Sequence, residues 1–455
     1  MNIIKYPKRE EYANFLQRPH KDSSDLVSVV SQILNDVKEA GDSAVLNYEE
    51  KFDKVKLSSL LVTEEEFKRA EQSISEELKS AIHLAHSNIS CFHKAQRMQF
   101  VEVETAPGVT CWQKSVAIEK VGLYIPGGTA PLFSTVLMLA TPAKIAGCSE
   151  IVLCSPPLKD GYIHPAIMYA AKVSGVDKIY KCGGVQAIAA MAYGTESVPK
   201  VSKIFGPGNQ YVTCAKQQVS MTDVAIDMPA GPSEVAIIAD ATCHPKYVAA
   251  DMLSQAEHGL DSQSILFTDC IEVAESVALE IEKQLQQLSR KSLAEASLQH
   301  SSIVVLNSMS EAFDICNEYA PEHLILAMDD ALKWSGNVVN AGSVFLGHYS
   351  CESAGDYASG TNHTLPTSGY AKAYSGVNLD SFLRKITFQY LTPQGVESIG
   401  HAVEIMAQAE SLDAHSNAMT IRIKDKIPAT TPTTIPAAAP IANDKKSNLH
   451  LLLIT

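Results

Sequence analysis

Residues 121–155, VGLYIPGGTAPLFSTVLMLATPAKIAGCSEIVLCS, decide the fold. A β-rich run, Val121 to Ile125, ends at a Pro-Gly-Gly turn. An apolar-periodic stretch of helix length follows, and a second β-rich run, Ile151 to Ser155, completes the unit. Lys178 to Cys182 and Val201 to Phe205 repeat the pattern. Strands alternating with helices in this way favour a parallel sheet covered on both faces. A second series, Val235 to Asp240, Ile265 to Thr268, Ile303 to Leu306, Leu324 to Met328 and Val344 to Gly347, predicts a second sheet of the same kind.

Outside these series the pattern is helical. Leu26, Val30, Ile33, Leu34 and Val37 recur at helical spacing after the capping candidates Ser23 and Ser24, and Gly41 stops the run. A second helical region covers roughly 64–96. Asp380 to Ile423 reads as a small helical module, too short to bury much core alone. From Lys424 onward, Pro428, Pro432, Pro436 and Pro440 amid Thr and Ala give the composition of a disordered extension. The expected class is α/β: two Rossmann-like parallel-sheet domains, a helical N-terminal region and a small helical C-terminal module. The expected divisions are 1–123 plus 233–377 for the larger domain, 124–232 for a dinucleotide-type domain, 378–423 for the module and 424–455 for the tail.

The bulk properties exclude some partners. A formal charge of −14 over 455 residues argues against nucleic acid or an anionic membrane, since both reward Lys and Arg. No run of about 18 or more apolar residues occurs, and Met1 to Glu10 lacks an apolar signal core, so a cytoplasmic location is the default expectation. The ten cysteines are scattered singly, without the paired spacing of zinc sites or redox dithiols. Most read as small core residues. Cys111 and Cys148, which flank the first glycine-rich segment, have no nearby His or cation in sequence to activate them.

Chemistry concentrates in a few polar clusters. In Ala320-Pro321-Glu322-His323-Leu324 an acid and a base stand side by side at a helix-to-strand junction, which suits two linked proton transfers. Pro245 to His258 reads as a helix on which Gln255 and His258, three apart, face the same way. They form half a metal site, or else His258 caps the helix's last carbonyls. Asp356 and His363 lie in a glycine-bearing loop, and His415 follows a break at 411–413; taken singly, each reads as a solvated or capping residue. The turns at 124–128, 180–186 and 205–209 place glycines where strands end and helices begin, a geometry that admits phosphates but equally serves any α/β protein.

Together these segments resemble the L-histidinol dehydrogenase family, from about Val27 to Ile423. The ordered matches are 121–132 (VGLYIPGGTAPL), 194–200 (GTESVPK), 225–234 (AIDMPAGPSE), 254–259 (SQAEHG), 320–324 (APEHL) and 355–367 (GDYASGTNHTLPT). The resemblance implies NAD-dependent oxidation of the small molecule L-histidinol through the aldehyde to L-histidine, with two NAD reduced. It implies one Zn2+ per subunit, held by Gln255, His258, Asp356 and His415, with His323 as base and Glu322 activating water. Ser233, His363 and Glu410 would contact substrate beside the zinc ligands and His323. Tyr124, Gln186 and Asn209 would contact NAD. A homodimer is implied, its C-terminal module reaching into the partner's site. Cys351, where the family often has proline, and the Pro/Thr tail depart from the pattern at no mapped position. The residues alone also admit a zinc hydrolase in which Glu322 and His323 activate a metal-bound water.

Overall fold

The structure is a computed structural model that describes residues 1–19, 24–127, 131–229 and 231–425, without the side chains at 24 and 25. The expected tail, from 426 on, lies outside the described residues. Two compact units emerge, residues 1–95 with 119–381, and residues 96–118 with 382 onward.

The first unit holds two all-parallel sheets. One has six strands in the order β1 (Asn2–Lys5), β11 (Ser302–Val305), β10 (Gln263–Thr268), β9 (Glu234–Ala239), β12 (His323–Ala327) and β13 (Ser343–Leu346). Alternate residues of β9 face two separate cores: Val235, Ile237 and Ala239 pack under helices Pro245–Ala256 and Ile271–Leu285, while Ala236 and Ile238 pack under helix Met309–Tyr319. Because both faces are apolar, alternation cannot set the register as it does in half-exposed sheets. Polar residues at the strand starts, Glu234, Gln263, Ser302 and His323, mark the register instead, and all four are buried along the sheet's amino edge.

The other sheet runs β6 (Lys178–Lys181), β5 (Glu150–Ser155), β4 (Lys120–Tyr124), β7 (Lys203–Phe205) and β8 (Ala225–Ile226). Two expectations change here. A boundary at 123/124 would cut through β4, which pairs along its whole length with β5. The N-terminal helices, expected with the larger sheet, cover this one. Val30, Ile33, Leu34 and Val37 of helix Ser24–Phe52 join the core of Val185, Ile188 and Ala192 on helix Gly184–Tyr193. Gly41 kinks rather than ends that helix (φ 55°, ψ −135°), a left-handed conformation that L side chains avoid.

The second unit adds a sheet to the expected small helical module. Leu383–Leu391 is a strand, β14, paired antiparallel with β3 (Val109–Ala117), which also pairs with β2 (Glu102–Ala106). Trp112 stacks on Phe388 across the pair, centroids 5.3 Å apart. Helices Pro393–Ala409 and Asp413–Lys424 pack closely, Gly400 lying against Ile423 where a Cβ would come within 2.8 Å. The module thus draws its sheet partners from residues more than 260 positions earlier, which local periodicity cannot show.

Candidate active site

Glu322 and His323 owe their placement to a forced chain reversal. Helix Met309–Tyr319 ends on Ala320 in the left-handed region (φ 52°), whose N–H donates to the Cys316 carbonyl at 2.8 Å. Pro321 lacks the N–H needed to continue the helix. The chain then enters β12 at His323, whose register partners are Val235 and Ser343. The N–H groups of Gly342 and Ser343 donate to the carbonyls of Pro321 and Glu322, each at 2.9 Å. Glycine is required at 342, since a Cβ there would lie 2.5 Å from the Glu322 carbonyl oxygen.

Both side chains are buried. The Glu322 carboxylate accepts the Glu234 N–H at Oε2, 3.0 Å away. His323 Nδ1 is 3.7 Å from Glu322 Oε2 and 4.0 Å from Glu352 Oε1, and Nε2 is 3.5 Å from Asp356 Oδ1. Burial pushes the Glu322 carboxyl up to about 7. Burial alone would lower His323, but the carboxylates of Glu352, Glu322 and Asp356 outweigh it and push the ring up to about 10.

Beside this pair lie candidate metal ligands. Gln255, in the last turn of helix Pro245–Ala256, is fully buried, and neither its oxygen nor its nitrogen has a hydrogen-bond partner. Leaving buried polar groups unpaired costs roughly 1–3 kcal/mol each, so an unpaired amide points to a missing ligand. His258, Glu352 and Asp356 offer ligand atoms within 4.8 Å of one another. Glu352 Oε2 is likewise buried and without a hydrogen-bond partner. An imidazole, two carboxylates and an amide form a borderline N/O donor set that fits zinc. Sequence reasoning missed Glu352. Its signal was the i, i+4 spacing to Asp356 within helix Glu352–Tyr357.

The remaining expected residues divide. His363 is held at both ring nitrogens, 2.9 Å from the Asp356 carbonyl and 3.0 Å from Thr135 Oγ1. Ser233 immediately precedes Glu234, and its carbonyl accepts the Gln263 N–H at 3.2 Å. Glu410 and His415 belong to the second unit, at the end of one helix and the start of the next, and both are exposed. Cys148 is buried, which pushes its thiol up to about 12 and disqualifies it as a thiolate nucleophile; Cys111 lies in β3 of the second unit.

A cavity of about 870 Å³ in the first unit is lined by Tyr124, Gln186 and Asn209 together with His258. The Tyr124 hydroxyl accepts the Gly184 N–H at 3.2 Å. Gly183 N and Gln186 Nε2 both donate to Glu49 Oε1, at 3.0 and 2.8 Å. Glu49 was not anticipated; it looks like one more charged residue on an amphipathic helix, yet it is fully buried. Asn209 Oδ1 caps helix Gln210–Ser220 by accepting the N–H groups of Tyr211 and Val212.

An acid–base pair and a cluster of N/O ligands, in a parallel-sheet protein whose cavity reaches from His258 to glycine turns at strand ends, fit an α/β enzyme of the dehydrogenase class. Comparison with known proteins agrees. The histidinol dehydrogenase family model matches residues 16–423, and the chain belongs to that family. It is 63% identical to a histidinol dehydrogenase of Bacteroides thetaiotaomicron and 61% identical to one of Bacteroides fragilis, each match covering 93% of this chain and 99% of the relative. The crystal structure of histidinol dehydrogenase from Elizabethkingia anophelis is 52% identical, with a TM-score of 0.92 over 93% of this chain and 98% of that one. The protein is therefore an oxidoreductase of histidine biosynthesis, which sets the hydrolase reading aside. Among the described residues, no helix is long and apolar enough to cross a membrane.

Proposed function

We propose that this chain oxidises L-histidinol through L-histidinaldehyde to L-histidine in a zinc-dependent site, reducing two NAD in succession. The observation that carries the reading is the grouping of His258, three residues after the buried, unpaired Gln255 amide, with Glu352 and Asp356, His258 standing in the wall of a cavity also lined by Tyr124, Gln186 and Asn209. Gln255, His258 and Asp356 would hold the zinc, with His415 as the fourth ligand. When bound, zinc supplies a Lewis-acidic template for the substrate's imidazole and amine, and NAD supplies the hydride acceptor.

The chain's own residues move the protons. With zinc drawing on Asp356, the pull that holds the metal-free ring up at about 10 would weaken, so that a neutral His323 takes the alcohol O–H proton as hydride leaves the carbinol carbon, and Glu322 and Glu352 stabilise the imidazolium that results. The aldehyde stays bound against Ser233, His363 and Glu410. Glu322, near 7, is poised to take a proton from water as its oxygen adds to the carbonyl carbon. His323, having released its first proton to solvent, takes one from the hydrate as the second hydride leaves. Histidine departs as the carboxylate.

A homodimer with shared sites and a cytoplasmic location belong to the same reading. Exposed apolar side chains of the second unit, among them Met98, Val101, Ile405, Met406 and Leu412, support a partner surface there. The test is NADH formation from histidinol, followed by absorbance with and without a chelator. Two NADH per histidinol, abolished by the chelator and restored by zinc, are expected; metal-loaded protein that forms none refutes the proposal.

A further inference from the structure

Arg18 is the residue on which the back of the acid–base pair converges. Its Nε and Nη2 donate to the two carboxylate oxygens of Glu234, Nη2 at 2.8 Å. Nη2 also donates to the Tyr319 carbonyl at 2.7 Å, and the guanidinium carbon lies 4.0 Å from the centre of the Tyr319 ring. The Tyr319 hydroxyl donates in turn to Gln263 Oε1 at 2.7 Å. One cation thus ties together the first residue of β9, the first residue of β10 and the end of helix Met309–Tyr319. Glu234 and Tyr319 are almost fully buried, and the Arg18 side chain is 17% exposed.

Both anchors lead to Glu322. The main-chain N–H of Glu234 holds the Glu322 carboxylate at Oε2. The Tyr319 carbonyl stands where the helix gives way to Ala320, Pro321 and Glu322, so fixing it fixes the origin of that turn. His323 has independent support from strand pairing on both sides, to Val235 and to Ser343. A guanidinium suits this task because its planar fork donates in two directions at fixed angles, whereas an ammonium acts as a point charge.

We propose that Arg18 is a positioning residue for the second oxidation, holding the Glu322 carboxylate where the attacking water needs it by pinning Glu234 and Tyr319. The inference rests on the histidinol reading above. Arg18 touches no reacting atom and acts only through these two neighbours.

The experiment compares wild type, Arg18→Gln, Arg18→Lys, Glu322→Gln and the Arg18→Gln/Glu322→Gln double variant, each loaded with zinc. The first hydride is measured in a single turnover from histidinol, the second by steady-state turnover of histidinaldehyde, with zinc content and unfolding temperature read alongside. For Arg18→Gln, kcat with the aldehyde is expected to fall roughly 10- to 100-fold, as misplacement of a reacting group by about 1 Å would cause. KM and the first hydride should stay within about twofold, and Arg18→Lys should fall between. In the Glu322→Gln background, Arg18→Gln should cost nothing further, because residues that act as a unit are not additive. Equal losses in both half-reactions, or losses that multiply fully in the double variant, would assign Arg18 a general packing role and overturn the proposal. If Arg18→Gln does not fold, Arg18→Lys is read by the same two criteria in both backgrounds. A wild-type protein that oxidises neither compound would instead overturn the reading on which this inference rests.

Discussion

Gly342→Ala should disable the site by a collision that can be sized from the structure. The new Cβ would lie 2.5 Å from the Glu322 carbonyl oxygen and 3.1 Å from Leu365 Cβ, and ordinary contact begins near 3.4 Å, so about 0.9 Å of separation (3.4 − 2.5) must be found. The φ at 342 is not in the left-handed region, so the penalty is steric rather than conformational. Neither neighbour can swing away: one is main chain, and the other is a Cβ. The carbonyl must move, stretching the two 2.9 Å hydrogen bonds that tie residues 342 and 343 to 321 and 322. Overpacking of this kind costs about 1–3 kcal/mol, which for a chain of this length lowers the unfolding temperature by roughly 1–3 °C. Displacing the acid by nearly 1 Å should cost about a hundredfold in turnover. Calorimetry and NADH formation, with zinc content held equal, measure the two effects. Unchanged turnover in a variant that is destabilised as expected would mean that the pair is not held by this contact, and unchanged values of both would refute the geometry itself.

Four other outcomes follow from the same site. Glu322→Gln should still release one hydride from histidinol but be slow with the aldehyde, by about 10²- to 10⁴-fold; equal loss in both half-reactions would remove the division of labour. Asp356→Asn or His258→Asn should lower metal affinity, with excess zinc restoring part of the activity, and unchanged metal content by elemental analysis in both would mean the ligand set is wrong. A Cys111→Ala/Cys148→Ala double variant should keep turnover within about an order of magnitude, the loss reflecting packing alone; a thioester trapped on either sulfur would contradict this. Inactive His323→Asn and His415→Asn chains, unfolded and refolded together, should regain about a quarter of wild-type activity if His415 is supplied in trans, because half the dimers are then mixed and each mixed dimer has one intact site. Activity no higher than in the separate refolds, with mixed dimers demonstrated, would place each site within one chain.

The strands of both parallel sheets were legible because buried parallel strands write themselves as short apolar runs between helices. Leu383–Leu391 was not, although it has strand character, because its partner Val109–Ala117 lies in a distant segment that itself reads as nothing in particular. Glu322, His323, Gln255, His258 and Asp356 could be singled out from residue type and spacing. Arg18, Glu49 and Gly342 could not. Each acts on the site through a contact made only after folding: an arginine in a short N-terminal segment, a carboxylate on an outer helix, a missing Cβ at a strand start. What sequence shows is which groups could do chemistry; what it hides is which groups hold them still.

The placement of the acid–base pair departs from the usual rule for open parallel sheets, in which ligands bind outside the carboxyl ends of the strands. In the six-stranded sheet, Glu322 and His323 stand at the amino edge, where helices Pro245–Ala256 and Met309–Tyr319 finish. Helix C-termini carry partial negative charge, worth about 0.3–1 kcal/mol to a nearby cation and up to about 2 when partly buried. An edge that gathers two of them favours a metal ion and an imidazolium. In the five-stranded sheet the arrangement is reversed. Helices Gly184–Tyr193 and Gln210–Ser220 begin just beyond β6 and β7, so that edge gathers helix N-termini and their free N–H groups, which favour an anion. The cavity touches both edges, with Gly184 and Asn209 in its lining along with His258. One chamber is thereby lined from an anion-favouring edge of one sheet and a cation-favouring edge of the other. For the zinc- and NAD-dependent reaction proposed above, a chamber with both surfaces would let the anionic diphosphate of the acceptor and the metal-held alcohol be drawn to opposite walls.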